Sequence, residues 1–147
     1  MSLLTDVKNQ IKTYLEEMQR AEVLKEVQVD DFRGESIFDR DITAYPCAIL
    51  TTAEIDNAVE TNRDNIRTYS FDVVFIQKSD NIKDPTEIED LIETILDKFD
   101  NKPTLAGKAN AGLQPATSRP AAVKSRGNDL IFFVVTLRAR VIKELSF

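Results

Sequence analysis

Two long segments of alternating apolar residues constrain the fold of this chain more than any other feature of its sequence. The segment at 129–143 contains DLIFFVVTLRARV, in which one face of an extended strand is apolar throughout. The segment at 63–78 has the same property, and the residues on its apolar face are Tyr69, Phe71, Val73 and Phe75. The pattern predicts two long strands of a sheet whose apolar face is covered by the rest of the chain.

The opposite face of both segments changes character part-way along. Its polar positions are Thr68, Ser70, Asp72, Thr136, Arg138 and Arg140. Its apolar positions are Val74, Ile76, Leu130, Phe132 and Val134. If the two strands are antiparallel neighbours, the apolar positions of both meet at one end of this face. The polar positions then meet at the other end, where Asp72 can pair with an arginine.

The five apolar side chains on this second face need a cover. Each contributes roughly 1.5 to 3 kcal/mol when it is fully buried, so leaving all of them in water is costly. Two covers fit the sequence equally well: a long loop of the same chain that carries Leu105, Leu113 and Val123, or another subunit. In the second case the subunit contact contains Val74, Ile76, Leu130, Phe132 and Val134.

Two amphipathic helices are expected to cover the fully apolar face. Near the start of the chain, three- and four-residue spacing indicates a helix of about five turns. Its apolar residues are Leu4, Val7, Ile11, Tyr14, Leu15 and Met18. A second helix begins at Pro85, with Asp84 as N-cap and Glu87 completing a capping box. Its buried stripe is Ile88, Leu91, Ile92, Ile95, Leu96 and Phe99.

Shorter strands are predicted elsewhere in the chain. Val27 and Val29 suggest one, and Tyr45-Pro46 opens another at 47–55, in which Ile49 points inward. Together these elements predict a single α+β domain over residues 1–147. Its mostly antiparallel β-sheet carries two main α-helices packed on one face.

The segment at 101–128 contains three prolines and three glycines, and all of its charged residues are basic. It predicts a long basic loop or irregular hairpin, with a strand near 121–125 that turns at Gly127-Asn128 into the last strand. The basic residues of this segment are Lys102, Lys108, Arg119, Lys124 and Arg126. We expect them to contact an acidic protein face, with phosphate binding as the alternative.

Charge is segregated along the chain. Residues 1–100 carry 11 lysines and arginines against 23 acidic residues, whereas residues 101–147 carry 8 against 2. The basic part lacks the density of arginines and interleaved aromatic rings that is typical of a nucleic-acid surface. An acidic surface that meets a basic surface on an identical neighbour fits this pattern, because complementary potentials favour and orient such contacts.

Several kinds of chemistry are excluded or disfavoured by composition. Histidine is absent, so no Ser-His or Cys-His nucleophile pair and no imidazole metal site can form. Cys47 is the only cysteine, which excludes an internal disulfide and suits a reducing cytoplasm; we expect it to be a buried small hydrophobe. The longest apolar run has six residues, against the roughly 20 that span a bilayer, and the N-terminus shows no secretory signal.

One carboxylate cluster is the remaining candidate for metal chemistry. It consists of Asp30, Asp31, Glu35, Asp39 and Asp41, interleaved with Arg33 and Arg40. Oxygen ligands suit Mg²⁺ or Ca²⁺, but the spacing matches no calcium loop. The pattern is more typical of a solvated polar loop, so we predict no catalytic residue, no metal site and no cofactor.

The order of elements adds one further indication. A helix precedes the strand opened by Tyr45-Pro46, and then come RTYSFDVVF at 67–75, a capped helix, PTLAG at 103–107 and a closing strand with LRARV at 137–141. From about Tyr45 onward this order resembles the tail-terminator, or tail-completion, proteins of long-tailed bacteriophages.

The resemblance implies a small α+β domain that forms a homo-oligomeric ring, typically a hexamer, at the head-proximal end of the tail tube in the virion. There the ring ends polymerisation of the tube protein and offers a surface to the head connector or neck protein, while DNA only passes through the channel. Such proteins are structural components assembled in the host cytoplasm, not enzymes. Three alternatives stay open: a head-to-tail connector or neck component, a carboxylate-based Mg²⁺-dependent enzyme, and a cytosolic binding module.

Overall fold

A computed structural model describes residues 2–30, 40–59, 64–101, 112–125 and 127–144. These residues form two α-helices and a six-stranded, mostly antiparallel sheet, which confirms the predicted α+β class. The elements in chain order are α1 (Leu3–Arg20), β1 (Glu26–Val29), β2 (Cys47–Val59), β3 (Asp64–Lys78), α2 (Thr86–Asp100), β4 (Leu113–Thr117), β5 (Ala121–Ser125) and β6 (Asn128–Glu144).

The centre of the sheet is the antiparallel pair β3–β6, as predicted. Its register places Val74 opposite Val134 and Ile76 opposite Phe132, so the apolar positions of the two strands do meet. Strand β2 pairs with the other edge of β3, and β1 adds to β2 in parallel. The predicted strands at 27–29, 47–55 and 121–125 are therefore all present, the second of them extended to Val59.

Strands β4 and β5 both pair with the edge of β6 that lies opposite β3. Strand β4 pairs with positions 135–139 and β5 with positions 128–132. The expectation of a mainly irregular segment at 101–128 is thus wrong at 113–117, where the structure has β4, whereas the strand expected near 121–125 is confirmed as β5. Strand β4 was missed because Pro115 lies at its centre, and proline is accepted in a strand only at a sheet edge, which is where β4 lies.

Both helices carry the predicted apolar stripes. In α1 the buried residues are Val7, Ile11, Tyr14, Leu15 and Met18. In α2, Ile88, Ile95 and Phe99 are buried, and Leu91, Ile92 and Leu96 are partly buried against the same core. Neither described helix has the length and apolar character that a membrane span would need.

The predicted capping box of α2 is displaced by one residue. The helix begins at Thr86, with Pro85 in the capping position. Asp84 still supports this end, because its Oδ1 accepts a hydrogen bond from the Thr86 N–H at 3.0 Å. The Glu87 carboxylate accepts from the Lys83 N–H at 3.2 Å, one residue before the predicted donor.

Two separate cores lie on the two faces of the sheet. The larger core joins both helices to the inner face, where Phe75 and Phe133 stack with their ring centroids 5.1 Å apart. The smaller core lies on the outer face, which is the face turned away from the helices. Its buried residues are Cys47, Ile49, Val74, Ile76 and Leu130. Ile49 is therefore buried as predicted, in the core without helices.

The cover of the smaller core comes from the same chain. Ile42 and Tyr45, from the connection between β1 and β2, pack against it, and so does Val123 of β5. Of the predicted covering loop only Val123 takes this place. Leu113 packs against the inner-face core instead, and Leu105 lies outside the described residues.

Candidate functional site

The outer face of the sheet has two halves with opposite character. On the central strands the boundary falls between the rung Val74–Val134 and the rung Asp72–Thr136. The apolar half continues toward Leu130 and contains the smaller core. The polar half continues toward Arg140. All the predicted apolar contact residues lie in the apolar half, and the polar half carries the arginines of β6.

The apolar half is largely closed within one chain. Val74, Ile76 and Leu130 are only 5%, 1% and 2% exposed, whereas Phe132 and Val134 are half-buried. A neighbouring subunit can therefore reach only the last two of the five predicted contact residues while Ile42 and Tyr45 stay in place. Sequence reasoning missed this cover, although both residues stand out as apolar side chains beside a charged loop.

Hydrogen bonds to the half-buried Glu26 anchor the covering segment through Thr43. One carboxylate oxygen accepts from the Thr43 hydroxyl at 2.6 Å and from the Thr43 N–H at 3.3 Å. The other accepts from Gln28 Nε2 at 2.8 Å and from Cys47 Sγ at 3.6 Å. Burial raises the pKa of Glu26, but the hydrogen bonds together outweigh burial and hold that pKa below its usual value.

Cys47 behaves as the predicted small hydrophobe. It is fully buried, and burial together with the neighbouring Glu26 charge raises the pKa of its thiol to about 12. A thiol that stays protonated at neutral pH is a poor nucleophile. Tyr45 beside it also has a raised pKa, caused by burial first and then by the Cys47 and Glu26 charges. The Lys78 ammonium lies 5.6 Å from the centroid of the Tyr45 ring.

The predicted carboxylate cluster does not assemble as a metal site among the described residues. Asp30, directly after β1, forms a salt bridge with Arg40, where the chain returns toward β2. Asp41 accepts a hydrogen bond from Gln28 Nε2 through its backbone carbonyl at 3.0 Å. Within the described ranges no group of three or more potential ligands converges. The remaining members, Asp31, Glu35 and Asp39, lie outside the described residues.

The polar half exposes two arginines above small hydroxyl side chains. Arg138 is exposed and Arg140 half-buried, and neither forms an ion pair with another described side chain. Opposite them on β3 lie Ser70 and Thr68, which are 8% and 9% exposed. We call Arg138 and Arg140 the arginine strip.

The predicted ion pair between Asp72 and an arginine is wrong. The Thr136 hydroxyl, directly opposite on β6, donates to Asp72 Oδ1 at 2.7 Å. The backbone carbonyl of Asp72 accepts from the Thr51 hydroxyl at 2.9 Å. The side chain directly opposite in the register thus donates to one oxygen of the carboxylate, and neither Arg138 nor Arg140 forms an ion pair with Asp72.

A second charged surface lies on the other side of the molecule. The solvent side of α2 exposes Asp90, Glu93 and Asp97, which lie on one stripe of the helix and which we call the acidic ridge. Glu87, Glu89 and Asp100 flank it and are also exposed. The one lysine of α2, Lys98, is within 3.6 Å of Glu17 on α1. Sequence reasoning used only the buried stripe of this helix, although the acidic spacing was equally visible.

Of the predicted basic contacts, the structure describes Arg119 and Lys124. Arg119 and Lys124 are exposed, and Lys124 lies 3.8 Å from the equally exposed Asp129. Lys108 and Arg126 lie outside the described residues. Near Arg119, a mostly apolar cleft of about 350 Å³ opens between the start of α2 and the connection from β4 to β5. Residues that line it include Ile82, Pro85, Ile88, Pro120 and Ile131.

Comparison with known proteins does not assign a function to this chain. No protein-family model matches the chain, and no curated protein matches it. The function is therefore inferred from the residues and from the way in which the fold places them.

Proposed function

We propose that this protein is a structural component of a long-tailed bacteriophage that forms a ring on the head-proximal end of the tail tube. The ring ends tube polymerisation and provides the surface to which the head connector attaches. The resemblance in RTYSFDVVF, PTLAG and LRARV supports this proposal, and the α+β fold agrees with the fold that the resemblance implies.

The observation that carries the proposal is the separation of opposite charges by the sheet. The acidic ridge lies on the helix side, and the arginine strip lies on the outer face. Because the sheet lies between them, one copy cannot neutralise its own two surfaces. A second copy can, through a contact that joins two different surfaces. Contacts of this head-to-tail kind generate closed rings when the rotation closes.

Apolar area for such a contact lies on the same face of β6, at positions before and after the arginine strip. Phe132 and Val134 are half-buried, and Ile142 is 45% exposed. These residues replace Val74, Ile76 and Leu130 in the proposed contact, because the latter three are occupied in the smaller core. Burying exposed apolar area between subunits stabilises a ring at roughly 25 cal/mol per Å².

The proposed role involves no catalysis. DNA passes through the channel of the ring, and the net charge of −6 favours repulsion of passing DNA over its retention. The tail tube protein and the head connector are the other proposed partners. The protein would act where the head-proximal end of the tail is completed, in the virion.

The test is the mass of the purified protein over a concentration series, measured by mass photometry with and without purified tail tubes. We expect a ring-sized species, either in solution or only on tube ends, because a tube end can serve as template. A monomer that does not bind tubes contradicts the proposal. Binding to capsid fragments but not to tubes would instead assign the protein to the neck.

A further inference from the structure

We propose that the acidic ridge of one copy docks on the arginine strip of the next copy. This inference rests on the proposed ring and specifies which two surfaces form its repeating contact. The ridge residues Glu93 and Asp97 face Arg138 and Arg140 of the neighbour. The partner is thus a second copy of this chain, bound helix to sheet.

The spacing of the charges on the two surfaces matches. Glu93 and Asp97 are four residues apart on α2, which corresponds to a rise of about 6 Å. Arg138 and Arg140 are two residues apart on β6, which corresponds to about 7 Å. A helix lying along the strand direction can therefore place one carboxylate opposite each guanidinium, and paired hydrogen bonds between these groups are short and strong.

The surroundings of the arginine strip leave room for a helix. Across β3 its floor is formed by the small side chains of Thr68 and Ser70, which are almost buried. On the β4 side the exposed Gln114 lies opposite Arg138, and the exposed Ala116 lies one rung further along, opposite Thr136. Because the β3 side chains in the rungs of Arg138 and Arg140 are small, a convex surface can approach the two guanidinium groups across β3.

The charge on each surface has no competing partner among the described side chains. Asp72, which lies one rung from Arg138 on β3, accepts from Thr136. On the helix side the only nearby cation in α2, Lys98, lies beside Glu17. Complementary surfaces whose charges have no partner among the described side chains favour association and fix its orientation.

Nucleic acid is a less suitable occupant of the strip. Two arginines next to threonine, serine and glutamine provide few phosphate contacts, and no aromatic ring lies beside them on β3 or β4 to stack a base. The excess of acidic residues over the whole chain also opposes approach of a polyanion.

Charge reversal tests the docking directly. The strip variant Arg138→Glu/Arg140→Glu and the ridge variant Glu93→Arg/Asp97→Arg each place like charges across the contact. We expect each to lose the ring-sized species on tube ends by about tenfold or more. The chain carrying all four substitutions restores opposite charges across every contact, so we expect it to regain the ring.

An equimolar mixture of the strip and ridge variants adds a second arm. Alternating copies then have opposite charges at every contact, so a ring with an even number of subunits forms from the mixture and from neither variant alone. Matched controls are Arg20→Glu, at an exposed arginine in the last turn of α1, and Glu16→Arg, on the exposed side of the same helix. Both should leave the ring unchanged. Circular dichroism checks that every variant is folded.

The outcomes separate this contact from the proposed function. If the strip and ridge variants form rings as the natural chain does, this docking is wrong and the ring stands. If both variants lose the ring and the fourfold variant does not regain it, the docking is also overturned. If the natural chain neither self-associates nor binds tubes, both proposals fail. Binding of a labelled DNA duplex that only the strip variant loses, with its ring intact, would assign the strip to nucleic acid.

Discussion

The two halves of the outer face use the same strands for different purposes. In the apolar half, side chains of β2, β3 and β6 pack under Ile42, Tyr45 and Val123 and form a second core. In the polar half, the same β3 and β6 expose arginines above small hydroxyl groups. A step of two residues in each strand, from Asp72 to Val74 and from Val134 to Thr136, separates folding from surface chemistry. The comparison shows that a boundary running across the strands can divide one sheet face between stability and association.

The largest expected difference between the halves is the loss of stability when an isoleucine of the outer face is replaced by alanine. Ile76 is 1% exposed in the apolar half, and Ile142 is 45% exposed in the polar half. We expect Ile76→Ala to lower the free energy of unfolding by about 2 to 5 kcal/mol, because it leaves a cavity. Ile142→Ala is the matched control, with a loss below about 1 kcal/mol. Urea denaturation measures both, and equal effects would show that the halves do not differ in this way.

The next largest effect is expected from removing the cover of the apolar half. The double variant Ile42→Ala/Tyr45→Ala should destabilise the protein by about 2 to 4 kcal/mol through lost packing. It should also expose Cys47, which is fully buried in the natural chain. The rate of labelling by a thiol reagent under native conditions therefore rises. Labelling at the natural rate would mean that other parts of the chain protect the thiol.

A smaller and pH-dependent effect is expected at Glu26. Its pKa is lowered in the folded protein, so its contribution to stability is present above the unfolded-state pKa and is lost as pH falls through the folded-state value. Glu26→Gln should cost about 1 to 2 kcal/mol at neutral pH by weakening hydrogen bonds from Thr43 and Cys47. It should also flatten the stability profile in the acid range. Thermal unfolding at pH 7 and at pH 4 measures the stability cost and its pH dependence. Parallel profiles for the natural chain and the variant would argue against a lowered pKa of Glu26.

The smallest effect on stability is expected in the polar half. Arg138 is exposed and has no ion pair with another described side chain. Arg138→Gln should change the free energy of unfolding by no more than about 0.5 kcal/mol. Ring formation on tube ends should nevertheless weaken. A large loss of stability would show that the polar half contributes to the fold, and would erase the contrast between the halves.

The sequence was sufficient to predict the centre of the sheet, because the change of character in each strand has only one compatible antiparallel pairing. It was also sufficient for the helices, where the apolar spacing of Ile88, Ile95 and Phe99 leaves little choice of buried side. Strand β5 followed from the turn residues Gly127-Asn128, which connect it to β6.

The errors share a cause in contacts between distant segments. Nothing local in the chain places Ile42 and Tyr45 over Ile76, or Leu113 on the helix side of the sheet. Asp72 was assigned to an arginine because opposite charges attract, but the threonine directly opposite is nearer. The position of the candidate site also depends on contacts between segments that are distant in the chain. The segregation of charge is visible in sequence, whereas its placement on opposite sides of the sheet requires the topology.

The divided edge formed by β4 and β5 has a consequence for how this molecule can grow. Between the two strands, Ser118 donates its N–H to the Val134 carbonyl at 2.8 Å and accepts from the Val134 N–H through its hydroxyl at 2.9 Å. The ladder of β6 is thus continued, while Pro115 and Pro120 interrupt the outward side of the edge. Such an edge is a poor template for a further strand. Addition of strands at this edge could continue without limit, and the prolines suppress it. Association is therefore directed to surfaces that each bind a single neighbour.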